Sequence, residues 1–197
     1  MNDVGVQLWL VRHGETEWSA SGKHTSRTDV ALTEKGRERA VELGSFLAET
    51  EFCAVFRSPM ARARETCELA GFGARAVLDH DLCEWNYGVY EGRTTREIQG
   101  EIPGWSVWKD QIVGGESLEQ VGERADRMIG KAVASASGRC NVALFGHAHI
   151  LRILAARWVG LPPSGGAMLA LSTGSVSVLG WERERRVIQL WNRGFED

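Results

Sequence analysis

A three-layer α/β/α domain built on a mostly parallel sheet is the fold class this sequence predicts, and two observations carry the prediction. Short apolar runs of strand type alternate along the chain with amphipathic helical patterns, the order that builds parallel sheets from strand–helix–strand units. Two of those runs, 6–11 and 141–145, also stop in the same way, at a glycine beside a histidine: Arg12-His13-Gly14 and Gly146-His147. A buried strand that breaks at glycine runs into a sharp loop, and in open α/β sheets ligands bind at the carboxyl ends of strands.

The elements follow in order. After the first strand, residues 15–31 are polar, and a helix begins at Leu32-Thr33 with Ala40, Leu43, Gly44 and Leu47 on its apolar face. Phe52 to Phe56 reads as a strand. Ser58-Pro59 reads as a helix start, with serine at the N-cap and proline at the first helical position. Met60, Ala63, Cys67 and Ala70 form that helix's stripe, Gly71 and Gly73 end it, and 76–78 is a short strand. Residues 79–116 are weakly patterned apart from a short helix near 94–99. A 38-residue stretch of this kind inside a compact domain is usually functional, and it reads as a lid-like insertion. Ser117-Leu118-Glu119-Gln120 has the form of a capping box, and the helix behind it is stopped by Gly138. The helix at about 149–159 is apolar nearly all round and should be central, closed by Gly160 and Pro162-Pro163. Three strands are predicted in the tail, at 168–171, 175–181 and 187–191, the last two forming a hairpin.

Composition bounds the rest. With 197 residues, 43% hydrophobic, the chain suits one domain spanning 1–197 with a substantial core. The balance of 23 basic and 26 acidic residues gives a formal charge of −3, which argues against nucleic acid or an anionic membrane as partner. No apolar run approaches 18 residues and no signal-peptide pattern opens the chain, so a cytoplasmic protein is expected. Cys53, Cys67, Cys83 and Cys140 are widely spaced and read as reduced, mostly buried thiols. Of the tryptophans, Trp85, Trp105 and Trp108 cluster within the insertion, where they suit packing or a pocket wall.

Were the two glycine-histidine strands parallel neighbours, Arg12, His13 and His147 would converge at one sheet edge. The helix N-terminus after Ser58 would open there too, attracting anions through its free N–H groups, and Arg62 lies one turn inside it. Two guanidinium forks and two imidazoles around one cavity repel one another unless a dianion joins them, and a phosphoryl group is the natural guest. On the tripeptide alone, an ordinary loop with a solvated Arg12 and a hydrogen-bonded His13 is the favoured account, since short motifs often recur without function.

Six motifs in order decide between these. Leu10-Val11-Arg12-His13-Gly14-Glu15-Thr16 is followed by Thr28-Asp29 through Leu32-Thr33, running into Gly36. Then come Ser58 to Ala63 with Thr66; Glu84 with Tyr87-Gly88 and Glu91-Gly92; Gly114-Gly115-Glu116-Ser117; and Phe145-Gly146-His147. Together they resemble the histidine phosphatase superfamily, of phosphoglycerate mutase-like fold, over nearly the whole chain, and most closely its sedoheptulose-bisphosphatase-like branch.

That resemblance implies a phosphomonoester hydrolase in which His13 attacks phosphorus and forms a phosphohistidine. Arg12, Arg62 and His147 would clamp the phosphoryl oxygens, and Glu84 would serve as general acid and then base. His13 must be neutral at the attacking nitrogen, so a backbone carbonyl or similar acceptor should hold its other N–H. Glu84 needs a raised pKa, which desolvation near Trp85 would supply. Ser19, Thr25, Ser26 and Ala148 are assigned to substrate binding; Ser19 stands where many relatives carry asparagine, and Thr25-Ser26 where they often carry Thr-Gly. His24 and His80 read as solvated loop residues, and His149 as either a partner of His147 or a helix cap. Arg93, Arg96 and Lys109 are candidates for holding a second anionic group, each with an ordinary surface role as its alternative. No metal or cofactor is expected. The partners would be a small phosphorylated substrate, a sugar phosphate or bisphosphate, and at most a second copy of the chain. Only 21 residues separate Gly92 from Gly114, shorter than the covering insertion of the mutases, so hydrolysis is favoured over mutase transfer. A phospho-ligand binding protein without turnover is the third reading, and the acid at Glu84 argues against it.

Overall fold

The computed structural model describes residues 5–136 and 140–195. Its core is a six-stranded sheet in the order β3-β2-β4-β1-β5-β6. The strands are β1 (Gln7–Arg12), β2 (Phe52–Arg57), β3 (Val77–Leu78), β4 (Asn141–Gly146), β5 (Val176–Glu182) and β6 (Arg185–Arg193). The first four pair in parallel, while β5 and β6 add an antiparallel edge. The sheet is thus mixed and mostly parallel, as predicted.

The period-two alternation of the strands sorts residues into two cores. Leu8 and Leu10 of β1, with Val142 and Leu144 of β4, face one layer. That layer holds α5 (Leu118–Ala134), α6 (Ala148–Trp158) and the apolar residues of the insertion. Val11, Ala143 and Phe145 face the other, against α2 (Glu34–Leu47) and α3 (Ala61–Leu69). Each fully buried aliphatic side chain contributes roughly 1.5–3 kcal/mol, and Leu8, Leu10, Leu43 and Leu144 are all without solvent exposure. Two short helices complete the fold: α1 (Glu17–Ala20), which the sequence reading did not include, and α4 (Thr95–Glu101). Among the described residues no helix is long and apolar enough to cross a membrane.

Residues 79–116 contain single 3-10 turns at His80–Leu82 and Gly88–Tyr90 and the helix α4. Their Trp85, Tyr87, Tyr90, Ile98 and Trp105 are buried against α5 and α6. The segment is therefore part of the core and forms a wall over the carboxyl edge of the sheet.

Four expectations change. The helix after β2 begins at Ala61, two residues beyond the predicted Pro59. Ser58 is drawn to His147, and Asp29 Oδ1 instead accepts from the Ala61 N–H at 2.7 Å. Residues 168–171 form no strand, because side chains take their carbonyls: Trp191 Nε1 donates to Ala170 and Arg12 to Leu171. His24 is buried, between the rings of Tyr87 and Trp105. Cys53 and Cys140, predicted reduced, form a disulfide, because the parallel pairing of β2 and β4 brings their Cα atoms to 6.1 Å. The predicted stop at Gly138 lies outside the described residues.

One close approach fixes the loop after β1. Thr33 caps α2, and its N–H and hydroxyl both donate to Glu15. This holds the backbone of 14–15 so near Gly36 that a Cβ on Gly36 would lie 2.2 Å from the Glu15 oxygen. Gly36→Ala should therefore destabilise the protein by about 1–3 kcal/mol, lowering Tm by roughly 2–4 °C per kcal/mol in thermal denaturation. Activity should fall with it, since the displaced segment carries His13.

Candidate active site

The parallel register of β1 and β4 places Arg12 opposite Gly146. The residues that follow, His13 and His147, emerge side by side with ring centroids 5.1 Å apart. The His13 N–H donates to the Gly146 carbonyl at 3.1 Å, and the Ser58 N–H donates to Phe145 at 2.9 Å, so three strand ends are tied together at one edge.

His13 is 5% exposed. Its Nδ1 lies 2.7 Å from the Gly14 carbonyl, which can only accept, so Nδ1 carries the proton and Nε2 the lone pair. Burial, and then the charges of Arg12 and Arg62, hold its pKa well below the usual histidine value. The ring is neutral at physiological pH, and among the described residues Nε2 has no hydrogen-bond partner.

Arg12 lines the cavity in front of His13. One Nη1 donor goes to Leu171, while among the described residues the buried Nε has no partner and Nη2 no acceptor. Burial lowers its pKa to about 10, which leaves it charged at neutral pH.

Arg62 is fully buried behind His13. Its Nε donates to His147 Nδ1 at 3.1 Å, and its terminal nitrogens donate to the carbonyls of Thr25, Ser26 and Thr28. Since His147 Nδ1 accepts, Nε2 carries the hydrogen and donates to Ser58 Oγ at 2.8 Å. Burial, Arg62 and His13 hold His147 neutral. Neither Arg62 nor His147 lines the cavity directly.

The acidic residues of the motifs hold this arrangement in place. Glu91 accepts from the Ser26 and Thr28 N–H groups, which shapes the loop whose carbonyls bind Arg62. Glu116 pairs with Arg124 at 2.7 Å and accepts from the Asn86 N–H, while Arg124 donates to the carbonyls of Asp81 and Cys83. Those contacts fix the loop carrying Glu84.

Glu84 is 5% exposed. Its oxygens accept from the N–H groups of Trp85, His149 and Ile150, each at 3.0 Å. His149 and Ile150 belong to the first turn of α6, so Glu84 caps that helix from a distant segment. Desolvation pushes its pKa up, as the sequence reading required. Hydrogen bonding from His149 pulls it down further, so it rests well below the ordinary carboxylate range. In the free protein Glu84 is a carboxylate.

The cavity in front of His13 has a volume of about 450 Å³. Ser19, Thr25 and Ala148 line it, but Ser26 does not: its N–H is bound to Glu91 and its hydroxyl to the Glu84 carbonyl. Ser19 donates its hydroxyl to Thr16, and Thr25 donates to Lys23. The Ala148 N–H, at the first position of α6, has no acceptor among the described residues. Arg93, Arg96 and Lys109 are absent from the cavity lining, and Arg93 pairs with Glu101. The residues sequence reasoning missed are Lys23, His24, Gln99 and Arg152, all lining the cavity. Arg152 stands one turn after His147-Ala148 in a helix that is mostly apolar, which was the signal that pointed to it.

A buried neutral imidazole before an unpaired arginine and a helix N-terminus defines a class: an α/β enzyme that handles phosphoryl groups at the carboxyl edge of its sheet. The family model of the histidine phosphatase superfamily (branch 1) matches residues 8–194. An acid phosphatase of Mycobacterium tuberculosis is 41% identical over 178 residues, covering 89% of this chain and 87% of its own. A sedoheptulose 1,7-bisphosphatase of Saccharomyces cerevisiae is 37% identical over 182 residues, covering 77% and 67%. The solved structure of an open reading frame from M. tuberculosis superposes with a TM-score of 0.90 at 37% identity, over 95% of this chain and 97% of that one. The chain belongs to the histidine phosphatase superfamily.

Glu84→Gln tests the cap. An amide places an N–H donor against a backbone N–H, leaving one of the three bonds unmade inside the protein. The variant should lose about 1–3 kcal/mol of stability, read as a lowered Tm at neutral pH.

Proposed function

We propose that the protein is a phosphomonoester hydrolase acting on a small sugar phosphate or bisphosphate through a phosphohistidine on His13. The observation that carries this reading is the Gly14 carbonyl on His13 Nδ1, which leaves a neutral ring with its Nε2 lone pair at the cavity.

His13 Nε2 attacks phosphorus as the bond to the leaving oxygen breaks, and that oxygen takes a proton from Glu84. Water then attacks phosphorus, the phosphorus–nitrogen bond breaks, and Glu84 takes one proton of the water, which restores neutral His13. Arg12 and the Ala148 N–H supply donors free to meet the phosphoryl oxygens. Arg62 adds its charge and its remaining Nη1 hydrogen, and His147 turns its Nε2–H from Ser58 to the substrate. Ser19 and Thr25 form the near rim, while Ser26 acts through its carbonyl on Arg62.

Glu84 begins as a carboxylate, so its proton arrives with the substrate. A monoester whose second pKa is about 6 enters partly as the monoanion, and the charge of the bound phosphate raises the pKa of Glu84 beside it. The exposed rim at Gly22 and the short 92–114 segment favour water as acceptor over a second sugar.

His13→Ala should abolish release of phosphate from an aryl phosphate, and labelled substrate should leave no acid-quenched phosphoprotein. Persistent release, or a phosphoprotein in the variant, would overturn the assignment. The pH profile separates the two groups. His13 is active when neutral and its pKa is lowered, so the acid limb of kcat/KM should lie well below pH 6.5. For an alkyl ester, kcat/KM should fall above about pH 6 as the monoanion is lost. An aryl ester, whose leaving group needs no proton, should fall far less; equal profiles would remove Glu84 from the role of acid.

A further inference from the structure

The cavity has a second group of lining residues that the phosphoryl chemistry does not use: His24, Thr95, Gln99, Trp105 and Ser106. Thr95 and Gln99 stand four residues apart on α4, hence on one face of that helix. Gln99 Nε2 donates to the Trp105 carbonyl at 2.9 Å, which ties the turn after α4 to that face. The loop carrying His24 is held to the insertion by two backbone bonds, from the His24 N–H to Arg93 and from the Gly92 N–H to His24. The His24 ring packs 5.5 Å from that of Trp105, and its Nε2 lies 3.3 Å from the Thr95 hydroxyl. Burial, and then His149, push the pKa of His24 down to about 4, so none of these five side chains carries a charge at neutral pH.

Trp105 is 2% exposed, and among the described residues its indole N–H has no hydrogen-bond partner. Trp85 and Trp158, buried as deeply, donate to the carbonyls of Glu116 and Gly180. An unmet buried donor costs folding free energy, and it persists where something that enters the protein satisfies it. Arg12 Nε is unmet in the same way and lines the same cavity, while Trp181 Nε1, also unmet among the described residues, lies outside that lining. Gln99 supplies the complementary group. The Trp105 carbonyl can only accept, so the amide of Gln99 presents its nitrogen there, and among the described residues its oxygen meets no donor. The cavity thus offers one unused donor and one unused acceptor beside the aromatic faces of Tyr87, Trp105 and Trp108. An ionised phosphate or carboxylate oxygen only accepts, whereas a hydroxyl both accepts and donates, and the rings suit the carbon chain that carries it.

We infer that Trp105, as donor, and Gln99, as acceptor, bind hydroxyl groups on the alcohol part of the phosphomonoester, and so select phosphates of polyols and sugars over those of plain alkyl alcohols. The inference rests on the phosphatase reading for the position of the phosphate at His13. It adds what the rest of the cavity recognises. Both residues act on specificity, and neither touches the reacting atoms.

Binding is measured in a His13→Ala background, where turnover does not enter. Glucitol 6-phosphate and hexyl phosphate serve as probes, since they share a carbon chain and a phosphate and differ only in hydroxyls. Calorimetry gives the ratio of their affinities, with and without Trp105→Phe, which removes the N–H and keeps an aromatic ring in the wall. The parent should favour the polyol, and loss of one neutral hydrogen bond predicts that the ratio falls about fivefold. A second variant, Gln99→Met, keeps the length of the side chain and removes the acceptor. It should lower the ratio by a similar factor, which guards against a failure of Trp105→Phe to fold. A fall of about twofold or more in either variant supports the assignment. A smaller change in every variant that folds, or a parent that binds the two esters equally, overturns it. Were Trp105 only a packing residue, its substitution would weaken both esters alike and leave the ratio unmoved. The phosphatase reading fails on a different result, the survival of phosphate release in His13→Ala.

Discussion

Everything at the site depends on the register of two parallel strands. Arg12 pairs with Gly146, and the chain leaves both strands at the same level. A slip of one residue would turn every side chain of β1 to the opposite face. Leu8 and Leu10 would then leave the layer they share with α5 and α6, and Val11 would leave the α2–α3 layer. The apolar alternation that sorts the two cores is thus also what sets His13 beside His147. Hydrophobic burial sets the two histidines side by side, and polar contacts fix the loops around them.

Around that edge the charges divide by task. The acids Asp29, Glu91 and Glu116 are spent on backbone N–H groups or on Arg124, and so hold loops. Among the described residues the cations nearest His13 form no ion pair with a carboxylate: Arg12 has an unpartnered Nε, and Arg62 is bound to carbonyls and His147. An anion entering the cavity therefore meets positive charge already desolvated and fixed in place, where an electrostatic contact is worth more than in water. Burial first, and then the same cations, keep His13 neutral, so the charges that bind the dianion also help to ready the nucleophile.

Much of this was legible in the residues. The strand and helix order followed from periodicity, and the glycine-histidine strand ends located the edge where ligand groups meet. The short motifs named Glu84, Glu91 and Glu116, but not what each does. Spacing cannot reveal that Glu91 acts on Arg62 through the carbonyls of a third segment. Ser58 shows a limit of local rules. Its capping signal is real, yet a tertiary contact with His147 claims the hydroxyl, and Asp29, from 32 residues earlier, takes over the helix start. His24 looked solvated because it stands in a polar stretch; its burial comes from the insertion's Trp105 and Tyr87, distant in sequence. The disulfide was hidden for the same reason, since 87 residues separate two strand positions that only sheet pairing brings together.

Helix α6 ties these observations into one device. Its first free N–H, at Ala148, faces the cavity. The next two are capped by Glu84, and one turn further along Arg152 reaches toward the same space. A dianion at the helix start would weaken the hold of α6 on Glu84 by competing for the same positive end, and would raise the carboxylate's affinity for a proton at the moment one is needed. The depressed pKa of the free protein is then no obstacle to acid catalysis. Hydrogen bonding from His149, in the first turn of that helix, sets a low resting value, and substrate charge moves it upward. Because the cap and the phosphoryl site share one helix end, binding and protonation are coupled through that single element.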